Sequence, residues 1–408
     1  MLGRVLNTHQ QWLCRELTDH GFLVSRQLAV DDSPGAIRDA IAEALRRAEL
    51  IITTGGLGPT SDDRTRDVIA ELLGRKLRED SATLAAIESF FEQRKRKPPE
   101  SVKVQALVPE GTIVLPNAHG TAPGLAVLGD PIAPGALTRM LLMLPGPPRE
   151  LRPMFKLRGL PLIQKHFPPS EPFVCRTLKT TGLGESFLEE KIVPAVQHLL
   201  PRGLELGYCA RTGEVDLRFV ARGPKAADLV AEAEHAARAV LGEIIFGEED
   251  EQLELIIVRL LTERKQTVTL AESCTGGFIA NRLTNVPGAS AVFLAGLVTY
   301  SNEAKEKFLA VRPQTLAEHG AVSEPVAREM AEGARERTGS DYAVSVTGIA
   351  GLSGGTDAKP VGTVFIGLAS KRGTQVRQQR NNYDRETFKY VTSQQALDML
   401  RRAIWRES

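Results

Sequence analysis

The chain has 408 residues, more than one ordinary core accommodates, so it reads as two or three domains. Apolar residues make up 42% and charged residues 25%, the balance of a soluble globular protein rather than a disordered or membrane-embedded one. Lys and Arg total 51 against 50 Asp and Glu, which excludes a broad nucleic-acid footprint and leaves only a local basic patch open.

In chain order, residues 6–20 read as a helix and 22–29 as a strand. Residues 34–48 read as a second helix, with Asp32 or Ser33 able to cap it. Residues 50–54 form a short apolar strand running into Gly55-Gly56-Leu57-Gly58-Pro59, and 141–144 form a buried strand stopped by Pro145-Gly146-Pro147-Pro148. Alternating helix and strand over residues 1–168 predicts an α/β domain of three layers, a parallel sheet covered on both faces. Residues 169–249 read as strand 174–180, helix 185–199, strands 204–210 and 215–221 about a turn, helix 226–241 and strand 244–246. That β-α-β-β-α-β order predicts a small ferredoxin-like α+β middle domain. The acidic run 247–251 reads as a linker or helix start, and residues 250–408 as a third, α/β domain ending in a helix over 385–405 capped by Asp384. The apolar run 140–144 is far short of a membrane span, and the N-terminus lacks signal-peptide features. Cys14, Cys175, Cys209 and Cys274 have neither CxxC nor Cys/His ligand spacing. They fit reduced thiols, and the expected location is the cytoplasm, with no membrane partner.

Two strings in the last domain carry chemistry. Ala271-Glu272-Ser273-Cys274-Thr275-Gly276-Gly277 sits between an apolar strand and a helix. Thr299-Tyr300-Ser301-Asn302-Glu303-Ala304-Lys305 sits likewise after strand 292–298. A serine hydroxyl is a weak nucleophile unless a base takes its proton. A lysine serves when burial or positive potential keeps it neutral, and Lys305 lies near a helix N-terminus whose dipole disfavours a cation. Backbone N–H groups around Thr275, Gly276 and Gly277 are candidates to hold an oxyanion or phosphate, and Tyr300 to orient the pair or relay a proton. The same residues also admit a plainer reading: a tight Gly-Gly turn, a capping hydroxyl and a solvated lysine.

Residues 252–405 closely resemble the C-terminal domain of the competence/damage-inducible protein A (CinA) family, also found alone as nicotinamide mononucleotide deamidase. Besides the two strings above, Gly320-Ala321-Val322-Ser323-Glu324-Pro325-Val326, Val346-Thr347-Gly348-Ile349-Ala350-Gly351 and Lys359-Pro360-Val361-Gly362-Thr363-Val364 carry the resemblance, in order along the domain. It implies hydrolysis of nicotinamide mononucleotide to nicotinic acid mononucleotide and ammonia, with no cofactor. The family's nucleophile falls on Ser273, its tyrosine on Tyr300 and its lysine on Lys305. Thr347, Gly348 and Ala350 offer close backbone approach to substrate, the glycine-rich 351–360 segment reads as a lid, and Arg385 is a candidate to meet a phosphate or simply a surface arginine near a helix N-terminus. Cys274 reads as a small packing residue.

In the first domain, Gly55-Gly56-Leu57-Gly58-Pro59-Thr60-Ser61-Asp62-Asp63 follows a strand and opens a helix. Gly55, Gly56, Gly58 and Thr60 are candidate phosphate-binding residues, and Asp62 and Asp63 candidate ligands of a divalent metal, or simply first-turn acids. With Asn117-Ala118-His119-Gly120 and Pro145-Gly146-Pro147-Pro148, this region resembles the MoaB/MogA-like molybdopterin-binding domain at the front of CinA proteins. The resemblance implies a metal-dependent ADP-ribose pyrophosphatase activity. The chain opens inside the family's first motif, at Gly3-Arg4-Val5-Leu6-Asn7-Thr8, so either the start is called too late or the first strand is absent, and His9 stands where the family often has Asn. The rival to an enzyme is a non-catalytic pterin or nucleotide carrier linked to competence or DNA damage. The expected partners are small nucleotide substrates and a second copy in a homodimer, without direct nucleic-acid binding.

Overall fold

The computed structural model describes residues 7–168, 171–351 and 354–407, and the chain separates into two units, Met1–Ser170 and Glu171–Ser408.

The first unit runs α1 (Thr8–Asp19), α2 (Pro34–Leu45), β1 (Leu50–Thr54), α3 (Thr65–Leu72), β2 (Leu77–Glu79) and α4 (Ser81–Glu92). It continues with β3 (Leu107–Pro109), β4 (Ile113–Leu115), β5 (Gly124–Leu128), β6 (Met140–Leu144), α5 (Pro148–Met154) and α6 (Leu160–His166). Side chains alternate across a strand, and β6 is buried on both faces. Leu141 and Met143 pack with Ile37, Ile41 and Ile69 of α2 and α3. Met140, Leu142 and Leu144 pack with Leu13 and Leu17 of α1 and with Leu151 and Ile163. This is the expected three-layer arrangement. The sheet, of order β1-β6-β5-β4, is mixed rather than parallel: β1 and β6 are parallel, and the β5–β6 and β4–β5 pairs antiparallel. Parallel strands need a crossover, and no helix lies between β4 and β5 or between β5 and β6. The strand expected at 22–29 is also absent. That stretch has no ladder partner among the described residues, and Leu23 is fully exposed.

The second unit opens with β7 (Phe173–Thr181), α7 (Glu185–Val196), β8 (Leu204–Arg211), β9 (Glu214–Arg222), α8 (Ala226–Leu241) and β10 (Ile245–Glu248). The strand order β10-β7-β9-β8, with every pair antiparallel, is the ferredoxin-like arrangement. Leu178, Leu217 and Phe219 face Leu188, Ile192, Leu229 and Ala233 of the two helices. Lys179, one residue out of phase with Leu178, projects from the opposite face, and Phe246 of β10 joins the core of the following domain.

That domain contains α9 (Leu253–Arg264), β11 (Val268–Glu272), α10 (Phe278–Thr284), β12 (Phe293–Val298), α11 (Asn302–Leu309), α12 (Pro313–His319) and α13 (Glu324–Thr338). It closes with β13 (Tyr342–Gly348), β14 (Thr363–Ser370), β15 (Gly373–Arg380) and α14 (Arg385–Arg406). The sheet order is β12-β11-β13-β14-β15, parallel across its first three strands. Helices α9, α10 and α14 cover one face, α11 to α13 the other. Because β12, β11 and β13 run together, their carboxyl ends meet at one edge, where α/β sheets bind ligands.

Candidate active site

Ser273 is the first residue past β11. Its N–H donates to Val346 O at 3.0 Å, continuing the ladder with β13 and fixing the backbone at the serine. The chain then turns through Gly276 and Gly277, at φ +62° and +90°, a conformation that L side chains rarely adopt. These glycines are what lets a buried strand reverse into α10 within a few residues.

Lys305 lies in the first turns of α11, whose start is capped by Ser301 Oγ accepting from Ala304 N at 3.1 Å. Its side chain is 1% exposed and turns inward. Nζ is 3.3 Å from Ser273 Oγ and also donates to the carbonyls of Thr299 at 3.0 Å and Tyr300 at 3.2 Å. Burial holds its pKa below the ordinary lysine value, against the opposing pull of Cys274 and Glu303. Burial thus does what the sequence reading assigned to the helix dipole. The two residues, 32 positions apart in sequence, form a buried hydroxyl–amine pair.

Tyr300 is placed differently. Its ring is 62% exposed, and its hydroxyl accepts from Arg385 Nη2 at 3.0 Å. The fold therefore pairs Tyr300 with Arg385 at the mouth of the site, while the Tyr300 carbonyl touches Lys305. Arg385 begins α14, where Asp384 Oδ1 accepts from the N–H groups of Glu386 and Thr387.

The loop after Ser273 needs a correction. The N–H of Gly277 is no free donor: it bonds the carboxylate of Glu272 at 3.0 Å, as do those of Ile279 at 3.1 Å and Ala280 at 2.8 Å. The N–H of Gly276 donates to Ser273 O. Glu272 thus fills the anion-binding position at the start of α10 with the protein's own charge. The N–H groups of Cys274 and Thr275 donate to no protein oxygen among the described residues, and the buried hydroxyls of Thr275 and Thr299 have no partner there. Sequence reasoning missed Glu272 and Thr299. The signal for Glu272 was a lone carboxylate ending an otherwise buried strand. Cys274 is buried with its thiol pushed up to about 12, chiefly by desolvation, and packs in the core.

On β13, Thr347 Oγ1 donates to Ala321 O at 2.8 Å. A Cβ at Gly348 would lie 2.9 Å from Thr363 O, so that glycine accommodates β14. Ala350 is buried beside them. The expected lid falls partly outside the described residues, at 352 and 353. Within its described part Lys359 Nζ donates to His319 O at 2.6 Å and ties the segment down.

In the first unit, the Gly55 N–H donates to Leu144 O, extending the ladder rather than facing a ligand. A Cβ at Gly56 would fall 2.0 Å from Thr65 Oγ1, and one at Gly58 2.2 Å from Asp63 Oδ2, so both glycines serve the loop's own close packing. Asp63 accepts from Thr60 N at 3.0 Å and Thr60 Oγ1 at 2.5 Å. Asp62 is exposed. No group of three metal-type side chains stands among the described residues. Behind the loop, Asn117 Nδ2 donates to buried Glu150 at 2.8 Å, a contact the sequence did not announce.

Three family models match the chain. The model of the CinA C-terminal domain matches residues 250–404, that of the Damage-inducible protein CinA KH domain 175–247, and that of the Probable molybdopterin binding domain 1–165. A competence-damage inducible protein of Caldicellulosiruptor bescii is 44% identical over 407 residues, 99% of this chain and 96% of the other. The chain belongs to the CinA family. A CinA-like protein of Chlorobaculum tepidum is 45% identical over 373 residues, 90% of this chain and 86% of the other. Among solved structures, the competence/damage inducible protein CihA of Agrobacterium tumefaciens is 42% identical, covering 37% of this chain and 93% of that one, with a TM-score of 0.35. No helix among the described residues of this CinA-family chain is long and apolar enough to cross a membrane.

Proposed function

We propose that the C-terminal domain hydrolyses the carboxamide of nicotinamide mononucleotide, releasing ammonia and nicotinic acid mononucleotide. The observation that carries this reading is the buried contact of 3.3 Å between Lys305 Nζ and Ser273 Oγ. Few structural roles bring a lysine to a serine inside a protein, and burial favours the neutral amine that a general base must be.

In this reading Ser273 Oγ attacks the carboxamide carbon while Lys305 takes its proton. The carbonyl oxygen becomes an oxyanion facing the N–H groups of Cys274 and Thr275. Lys305 returns the proton to the leaving nitrogen, the C–N bond breaks, and ammonia departs. Water, deprotonated by Lys305, then attacks the acyl–Ser273 ester, and Lys305 hands that proton to the departing Ser273 Oγ, giving the acid and restoring the neutral amine. Arg385, held by Tyr300, meets the 5′-phosphate with a charge-assisted bond. The deciding assay is ammonia release from nicotinamide mononucleotide with EDTA present. Turnover by the intact chain that collapses in Lys305→Ala supports the reading, and full turnover by Ser273→Ala ends it.

A further inference from the structure

The mechanism uses Ser273 and Lys305 but leaves a second buried polar cluster in the same unit unexplained. Arg282 lies on α10, the helix that follows the Ser273 loop, and is 6% exposed. Its guanidinium donates to Ser393 Oγ at 2.8 Å, Gln394 Oε1 at 2.8 Å and Glu254 Oε2 at 2.7 Å. Gln394, buried on α14, turns its amide nitrogen to Glu214 of the middle domain at 3.5 Å. Contact there is tight, since a Cβ on Gly213 would lie 3.2 Å from Gln394 Cγ. Glu214 is held in turn by buried Lys179, whose Nζ is 3.1 Å from it and 2.6 Å from Asp216. At the other end, the α10 N–H groups bond Glu272, the residue before Ser273.

Buried hydrogen bonds thus run from the β8–β9 hairpin of the middle domain to Arg282, and the backbone of α10 carries the link on to Glu272 beside the serine. Such networks cost desolvation and select one arrangement of the parts they join. We propose that Arg282 is a positioning residue through which the middle domain, by way of Glu214 and Gln394, holds the Ser273 loop in its reactive geometry. This rests on Ser273 being the nucleophile, as proposed above. It gives the middle domain a part in the chemistry without any contact with substrate.

The test uses the full chain and two readouts: the rate at which a fluorophosphonate probe labels Ser273, and kcat and KM on nicotinamide mononucleotide. Gln394→Leu and Glu214→Gln are each expected to slow labelling and kcat about threefold or more with KM little changed, and the double variant to be no slower than the slower single. Unchanged rates in both single variants overturn the proposal. So do slowdowns that multiply in the double variant, because each residue then acts within its own domain. If Gln394→Leu does not fold, as judged by its thermal transition, Gln394→Met takes its place in the cycle. A wild-type chain that labels at Ser273 yet leaves the mononucleotide intact sinks the amidase reading alone, and the labelling cycle still decides the positioning role. A wild type that neither labels nor turns over overturns both.

Discussion

Two places in this molecule share one local plan: a short apolar strand, a glycine pair, then a helix. At Gly55–Gly56 the turn leads to exposed Asp62 and to Thr60 and Asp63, which bond each other and close the loop. At Gly276–Gly277 the turn surrounds a buried serine, a buried lysine and a buried carboxylate. The glycines solve the same backbone problem in both, so they do not distinguish a site from a turn. What distinguishes them is burial of the ionisable partner. An exposed acid that closes its own loop is explained by the loop. An inward lysine whose partners are a hydroxyl and backbone carbonyls has a desolvation cost that packing alone does not explain.

That contrast can be broken most directly at the pair itself. Ser273→Ala and Lys305→Ala should each lower ammonia release by about 10²–10⁴-fold with the fold intact by circular dichroism. Comparable turnover in either variant would remove the distinction between the two turns. Next, Arg385→Ala should raise KM about 10–100-fold while leaving fluorophosphonate labelling of Ser273 nearly unchanged, as loss of one charge-assisted bond to phosphate predicts.

Titration sharpens the same point. Burial lowers the folded-state pKa of Lys305, so kcat/KM should rise with pH through an apparent value below the usual lysine pKa of about 10.4. Between those two values the unfolded chain binds more protons than the folded one. Stability relative to Lys305→Met should therefore grow as pH rises through that window and be lost as pH falls through the depressed value. Urea melts of both proteins across pH would show a flat difference if the lysine were not buried as described.

Smaller effects belong to the supporting groups. Glu272→Gln keeps the shape but loses the charge that three N–H groups share, and should lower stability by about 2 kcal/mol, read from urea midpoints. Asp63→Ala should cost about 1 kcal/mol or less through its lost bonds with Thr60, and leave ammonia release unchanged. A large loss of amidase activity in Asp63→Ala would mean that the two turns are not independent.

Much of this was legible along the chain. Helix 226–241 follows from its periodicity and ends where expected, and the helix expected over 385–405 from its Asp384 cap runs to Arg406. Ser273 and Lys305 were readable because each follows an apolar strand at a turn. The 22–29 stretch misled because alternating side chains indicate a strand only when a neighbour supplies the ladder, and none among the described residues does. Tyr300 was read as orienting the pair or relaying a proton, and only the fold shows its hydroxyl accepting from Arg385, 85 residues on. Glu272 and Arg282 were passed over because a carboxylate or guanidinium looks alike in sequence whether solvated or buried.

The sequence by itself determined the three successive α/β segments, the turns that end their strands and the kinds of reactive group placed there, because periodicity, glycine and capping act over a few residues. The tertiary structure alone decided which groups meet. Three parallel strands bring Ser273 and Lys305 to one edge and strip water from the amine. Packing of α10 against α9 and α14 buries Arg282 among Glu254, Ser393 and Gln394, and Gln394 in turn reaches Glu214 of the middle-domain hairpin. Burial and long-range proximity are properties of the packed chain, and they turn a common turn motif into a candidate site.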